Sequence, residues 1–113
     1  MFNLKVYEIT GERAVLDSDG DIVYQKLLEA FSQNQSVELD FSGVTTILSI
    51  FTNSAVGQLY KHYDSEFLNS HLKITHMSVE DMLSLKRVNE RAKQFYSSPT
   101  DTSQFLKGEI FNE

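Results

Sequence analysis

The chain has 113 residues, of which 41% are hydrophobic and 23% charged, with no cysteine and a net charge of −6. This length and composition describe one globular domain able to bury its own core, and the lack of thiols excludes a disulfide framework or thiolate metal site and fits the cytoplasm. The negative balance argues against a nucleic-acid partner, no apolar run approaches the ~18 residues that span a bilayer, and the opening M-F-N-L-K-V-Y-E-I lacks the basic-then-apolar pattern of a secretory leader.

Phe2, Leu4 and Val6 alternate with polar residues, which predicts a strand reaching towards Ile9. Thr10 to Glu12 is a turn, and Arg13 to Leu16 is a second short strand or an extended lead-in. The run D-S-D-G-D, Asp17 to Asp21, looks like the opening of a calcium loop, but Ile22 and Leu28 stand where such a loop needs Gly and a bidentate Glu. It reads instead as a turn in which Ser18 or Asp19 caps the next helix, with carboxylates at its positive end. Ile22, Val23, Leu27, Ala30 and Phe31 give that helix its apolar stripe, and Gln33 to Gln35 form its exit.

Val37, Leu39 and Phe41 point one way from the next strand, with Glu38 and Asp40 on the other face. A turn rich in hydroxyls, Ser42 to Ser49, follows, part of which can pair as a further strand. Phe51, Ala55, Leu59 and Tyr63 then predict a helix whose first turn carries Thr52, Asn53 and Ser54. Gly57 inside it costs about 1 kcal/mol relative to Ala, which points to close packing on the sheet. Asp64 to Ser70 ends or extends this helix, and His71 to Met77 is the last strand, with Leu72 and Ile74 inward. Ser78 and Asp81 make a capping box for a final helix striped by Met82, Leu85, Val88, Ala92 and Phe95 and ending near Tyr96.

The order β, (β), α, β, α, β, α argues for an α/β fold: residues 1–96 as one domain with a roughly four-stranded mixed sheet and three main helices. Residues 97–113 are then a C-terminal extension, docked or flexible. Leu39, Phe41, Phe51, Ala55, Leu59, Leu72, Ile74, Leu85 and Val88 are the expected core.

The chemistry-bearing residues are few. His62, His71 and His76 lack ligand spacing and read as surface or half-buried packing, so neither a metal nor a cofactor is expected. Asp40, at the end of a central strand, is the one carboxylate where catalysis is common, but it lacks a placed partner and is expected to bond the Ser42 to Thr46 turn. No nucleophile-elbow, phosphate-loop or dinucleotide motif occurs, so an enzyme is not expected. Lys86, Arg87, Arg91 and Lys93 are interleaved with Glu80, Asp81 and Glu90, which makes a solvated helix face, with an acidic protein partner and, last, a nucleic-acid patch as the other readings. Ser49, Thr52, Asn53 and Ser54, where a helix leaves the C-terminal edge of a sheet, are the residues on which function is expected to turn, with Asp40 and Gly57 in support.

The run L-D-F-S-G-V-T-T-I followed by F-T-N-S-A-V-G-Q-L resembles the core of STAS domains, the fold of bacterial anti-sigma factor antagonists, where the helix opens with D-S-S-G-L-G. It is more similar still to the STAS-like family of uncharacterised function, whose helix reads roughly S-F-x-N-E-A-x-G-x-L. Phe51, Asn53, Ala55, Gly57 and Leu59 match, Ile50 and Ser54 depart, and the likeness covers about Asp17 to Phe95. The resemblance implies a regulatory, non-enzymatic module that binds a partner regulator, of the kinase-type ATPase kind, through residues 49–57. A phosphoserine switch is also implied if S-A-V-G is laid on S-G-L-G, which puts Ser54 in the acceptor position; in the other register Ala55 falls there. Helix capping alone also accounts for these hydroxyls, and a small-ligand or nucleotide site at the same helix start is the alternative function.

Overall fold

The alternating apolar segments fold as an α/β domain over residues 1–97, those that the computed structural model describes. In chain order the elements are β1 (Phe2–Lys5), α1 (Tyr7–Thr10), β2 (Arg13–Ala14), α2 (Asp17–Ser32), β3 (Val37–Asp40), β4 (Thr46–Ile47), α3 (Ser49–Ala55), a 3₁₀ helix (Gly57–Lys61), α4 (Ser65–His71), β5 (Leu72–Thr75) and α5 (Val79–Ser97). The expected extension 97–113 lies, apart from Ser97, outside the described residues.

The sheet differs from the expected four-stranded mixed one. It has three strands in the order β1-β3-β5, all parallel, and β2 and β4 form a separate parallel pair. The cause is local: the chain leaves β1 through the helical turn α1, reverses at Gly11 with φ 70°, and Arg13–Ala14 then pairs with the segment after β3. Register places Leu4, Leu39 and Ile74 in one row facing the helices, with Lys5, Asp40 and Thr75 in a row on the opposite face. Leu39 is fully buried on the central strand, whereas Leu72 and Ile74 are only half-buried, because β5 is an edge. The other seven expected core residues are buried.

Five α-helices occur among the described residues rather than three. The expected helix from Phe51 to Tyr63 divides at Val56 and continues as 3₁₀, and Asp64 Oδ1 accepts from Phe67 N at 2.9 Å to start α4 as a helix of its own. Tyr63, Phe67 and His71 then stack in a ladder, at 4.4 and 4.0 Å between centroids, edge-on to Phe31 of α2.

α2 begins at Asp17 without a side-chain cap, so neither Ser18 nor Asp19 caps it, although Asp17 and Asp19 do stand in its first turn. Its buried face is Gly20, Val23, Tyr24, Leu27, Ala30 and Phe31, with Ile22 exposed. It closes in a Schellman turn, with Asn34 N bonded to Phe31 O, Gln35 N to Ala30 O, and Asn34 at φ 61°. On α5, Leu85, Val88 and Ala92 are buried while Met82 and Phe95 are exposed, and Ser78 Oγ accepts from Asp81 N at 3.1 Å. No helix among the described residues is long and apolar enough to cross a membrane.

Candidate functional site

The expected site residues sit on α3, which begins earlier than periodicity predicts. Ser49 is its first residue and Leu48 its N-cap, with no side-chain cap bond, so Thr52, Asn53 and Ser54 lie beyond the first turn and none of the four hydroxyl or amide side chains caps the helix. In a helix of seven residues they point in three directions. Thr52 turns inward, 3% exposed, and its hydroxyl donates to Ser49 O at 3.3 Å. Ser54 faces α2, where its hydroxyl donates to Asp17 O at 2.9 Å. A phosphoryl group on Ser54 would remove that donor and set acceptor oxygens against a carbonyl, so its first effect would fall on the α2–α3 contact. Ser49 and Asn53, four residues apart, share an exposed side.

That side is one wall of an open groove of about 790 Å³ between α3 and the last turns of α5. Its apolar surface comes from Ile50, Val88, Ala92, Phe95 and Tyr96, and its polar rim from Ser49, Asn53, Arg91 and Gln94. Ile50 is 54% exposed and Phe95 74%, unusual for large apolar side chains standing together. Gly57 supports this arrangement differently from expectation. A Cβ there would lie 2.8 Å from Asn53 Oδ1 and 3.5 Å from Val88 Cγ1, so the close approach is to Asn53 and α5 and not to the sheet.

Asp40 forms a second constellation at the C-terminal end of the sheet. Its Oδ1 accepts from Ser42 N at 2.9 Å, Ser42 Oγ at 2.7 Å and His76 Nδ1 at 2.9 Å, while Lys5 Nζ lies 3.6 Å from Oδ2. An ionised carboxylate only accepts, so the His76 Nδ1 carries the proton. The Ser42 bonds, side chain first and backbone second, hold the Asp40 carboxyl well below its ordinary range; His76 adds to this, and partial burial opposes it. The cover is thin: Asp40 is screened by Ser42, Lys5 and His76 themselves, not by depth in the core. Sequence reasoning found the Ser42 bond and missed His76, which a left-handed backbone at φ 59° after β5 folds back over Asp40.

Ligand-type atoms of Glu38, Asp40 and His76 lie within 4.8 Å of one another. Glu38 Oε2 already accepts from Thr75 Oγ1 at 2.8 Å, and the Lys5 ammonium supplies the local positive charge. The cluster therefore reads as a clamp tying the ends of the three strands together.

A search of curated proteins and a search of solved structures each return no match to this chain. Residues 19–82, more than half of the sequence, match the family described as a STAS-like domain of unknown function. That span holds most of α2, both strands β3 and β5, and the whole of α3 with its Asn53-x-Ala55-x-Gly57-x-Leu59 pattern. The chain belongs to the STAS-like domain family of unknown function.

Proposed function

We propose that this chain is a non-enzymatic, cytoplasmic regulatory module that binds another protein through the groove between α3 and α5. The observation that carries the reading is the grouping of Ile50, Phe95 and Tyr96, exposed and apolar, around a groove whose rim includes Ser49 and Asn53. Leaving that surface in water is unfavourable at about 25 cal/mol per Å², and a partner segment that covers it recovers the difference. The STAS resemblance supports the same helix as the partner surface and a kinase-type ATPase as the kind of regulator. A small-ligand or nucleotide reading stands second, because a volume of about 790 Å³ lies in the range of ligand sites.

Affinity purification of the full chain, with Ile50→Asp, Phe95→Asp and a Gln25→Asp control, separates these. A protein should co-purify with the unaltered chain and the control and be lost from both groove variants at unchanged melting temperature. ATP and GTP should leave the melting temperature where it is, because only a ligand bound by the folded state raises it. A partner retained by both groove variants, or a rise of several degrees with nucleotide, would overturn the proposal.

A further inference from the structure

The groove carries a charge pattern that narrows its occupant, an inference that rests on the groove being the partner site. α3, sequence S-I-F-T-N-S-A, is uncharged, so it adds no charge to the groove. On α5, Arg91 lines the rim, and Arg87 lies one turn before it on the same helix face. Both are exposed, and neither makes an ion pair among the described residues. Glu90, which neighbours Arg91 in sequence, is bonded to Lys93 at 3.0 Å.

Two arginines at i and i+4 repel one another when nothing neutralises them. In a protein of net charge −6 this positive rim is a local exception, and with charges beyond about 10 Å screened by salt it is the local cations that a docked segment meets.

We infer that the occupant is an acidic amphipathic helix of a partner protein, its apolar stripe on Ile50, Val88, Ala92 and Phe95 and its carboxylates against Arg91 and Arg87. A helix suits the site because apolar residues at i, i+3, i+4 and i+7 present one continuous ridge to a groove between two helices, and flanking acids then fall beside the cations. Arginine forks bind carboxylates in two parallel hydrogen bonds, which gives orientation as well as attraction.

The test uses the full chain and two fluorescent amphipathic peptides with the same leucine stripe, one flanked by Glu and the other by Lys. The Glu peptide should bind about tenfold more tightly at low salt, with the gap closing as salt rises. The double charge reversal Arg87→Glu, Arg91→Glu should invert the preference, and Ile50→Asp should weaken both peptides. Equal binding of both peptides, still weakened by Ile50→Asp, overturns the acidic occupant and leaves the groove reading standing. Peptides indifferent to Ile50→Asp overturn both. Tighter binding of a peptide of residues 98–113, or a dimer in sedimentation that Ile50→Asp abolishes, would give the groove to the chain's own segment or to a second copy and would also overturn the inference.

Discussion

Asp40 shows how much a single residue can hold. Three donors converge on one carboxylate oxygen, and Lys5 and His76 bring in the strands on either side. Because its folded pKa lies below the unfolded value of about 3.9, its stabilisation is fully present above that pH and is lost as pH falls through it towards the folded value. Asp40→Asn should cost roughly 1.5–3 kcal/mol near neutral pH, the range for hydrogen bonds to a charged group. The variant should also lose less further stability than the parent between pH 5 and 2. Urea unfolding across that range measures both, and parallel pH curves for the two proteins would remove the Asp40 charge from the account. The Ser42 bond was legible because an Asp bonding its own backbone two residues on is a local motif. The His76 bond joins residues 36 apart, and nothing in either local sequence announces it.

Among the elements, the crossing of α2 and α3 is set by a missing side chain. A Cβ on Gly20 would lie 2.6 Å from Phe51 O and 2.7 Å from Ser54 Cβ, so α2 approaches the backbone of α3 as only glycine allows. Gly20→Ala should gain up to about 1 kcal/mol of helix propensity yet destabilise overall by about 1–3 kcal/mol, since backbone must move to admit the methyl group. Gly57→Ala meets the far end of Asn53, which can rotate away, and should stay within about 1 kcal/mol of the parent. Thermal melts of the two variants decide this, and equal losses would show that the α2–α3 contact is not tight. From sequence, D-S-D-G-D reads as a turn because Gly and Asp favour turns, and it is the packing against α3 that keeps Gly20 in a helix. The same override moved the buried face of α2 from Ile22 to Tyr24, whose hydroxyl lies 3.1 Å from His62 Nε2.

Across the whole molecule, burial depends on position in the sheet more than on residue type. Leu39 on the central strand and Leu59 in the 3₁₀ helix are fully buried, while Leu72, equally apolar, lies half-buried on an edge. Leu39→Ala and Leu59→Ala should each cost about 2–5 kcal/mol, and Leu72→Ala under about 2 kcal/mol. Equal denaturant midpoints for all three variants would contradict the edge assignment. The groove is composite in another sense: Ser49, Ile50 and Asn53 fall inside the family match at 19–82, whereas Val88, Arg91, Ala92 and Phe95 lie beyond it.

The sequence by itself determined the α/β class, the central strand with Leu39 inward, the apolar stripe of Leu85, Val88 and Ala92, and the family, because each rests on short-range periodicity or a contiguous motif. Only the tertiary structure decided which strands pair, that the long helix divides at Val56, and how Ser49, Thr52, Asn53 and Ser54 part company on one short helix. Pairing and division depend on contacts between distant segments, and successive side chains on a helix point about 100° apart, so sequence neighbours meet different surroundings. With Phe51 and Ala55 buried, Thr52 points into the core, Ser54 towards α2 and Asn53 to the groove, and which neighbour lies in each direction is settled only by how α2 and α5 pack against α3.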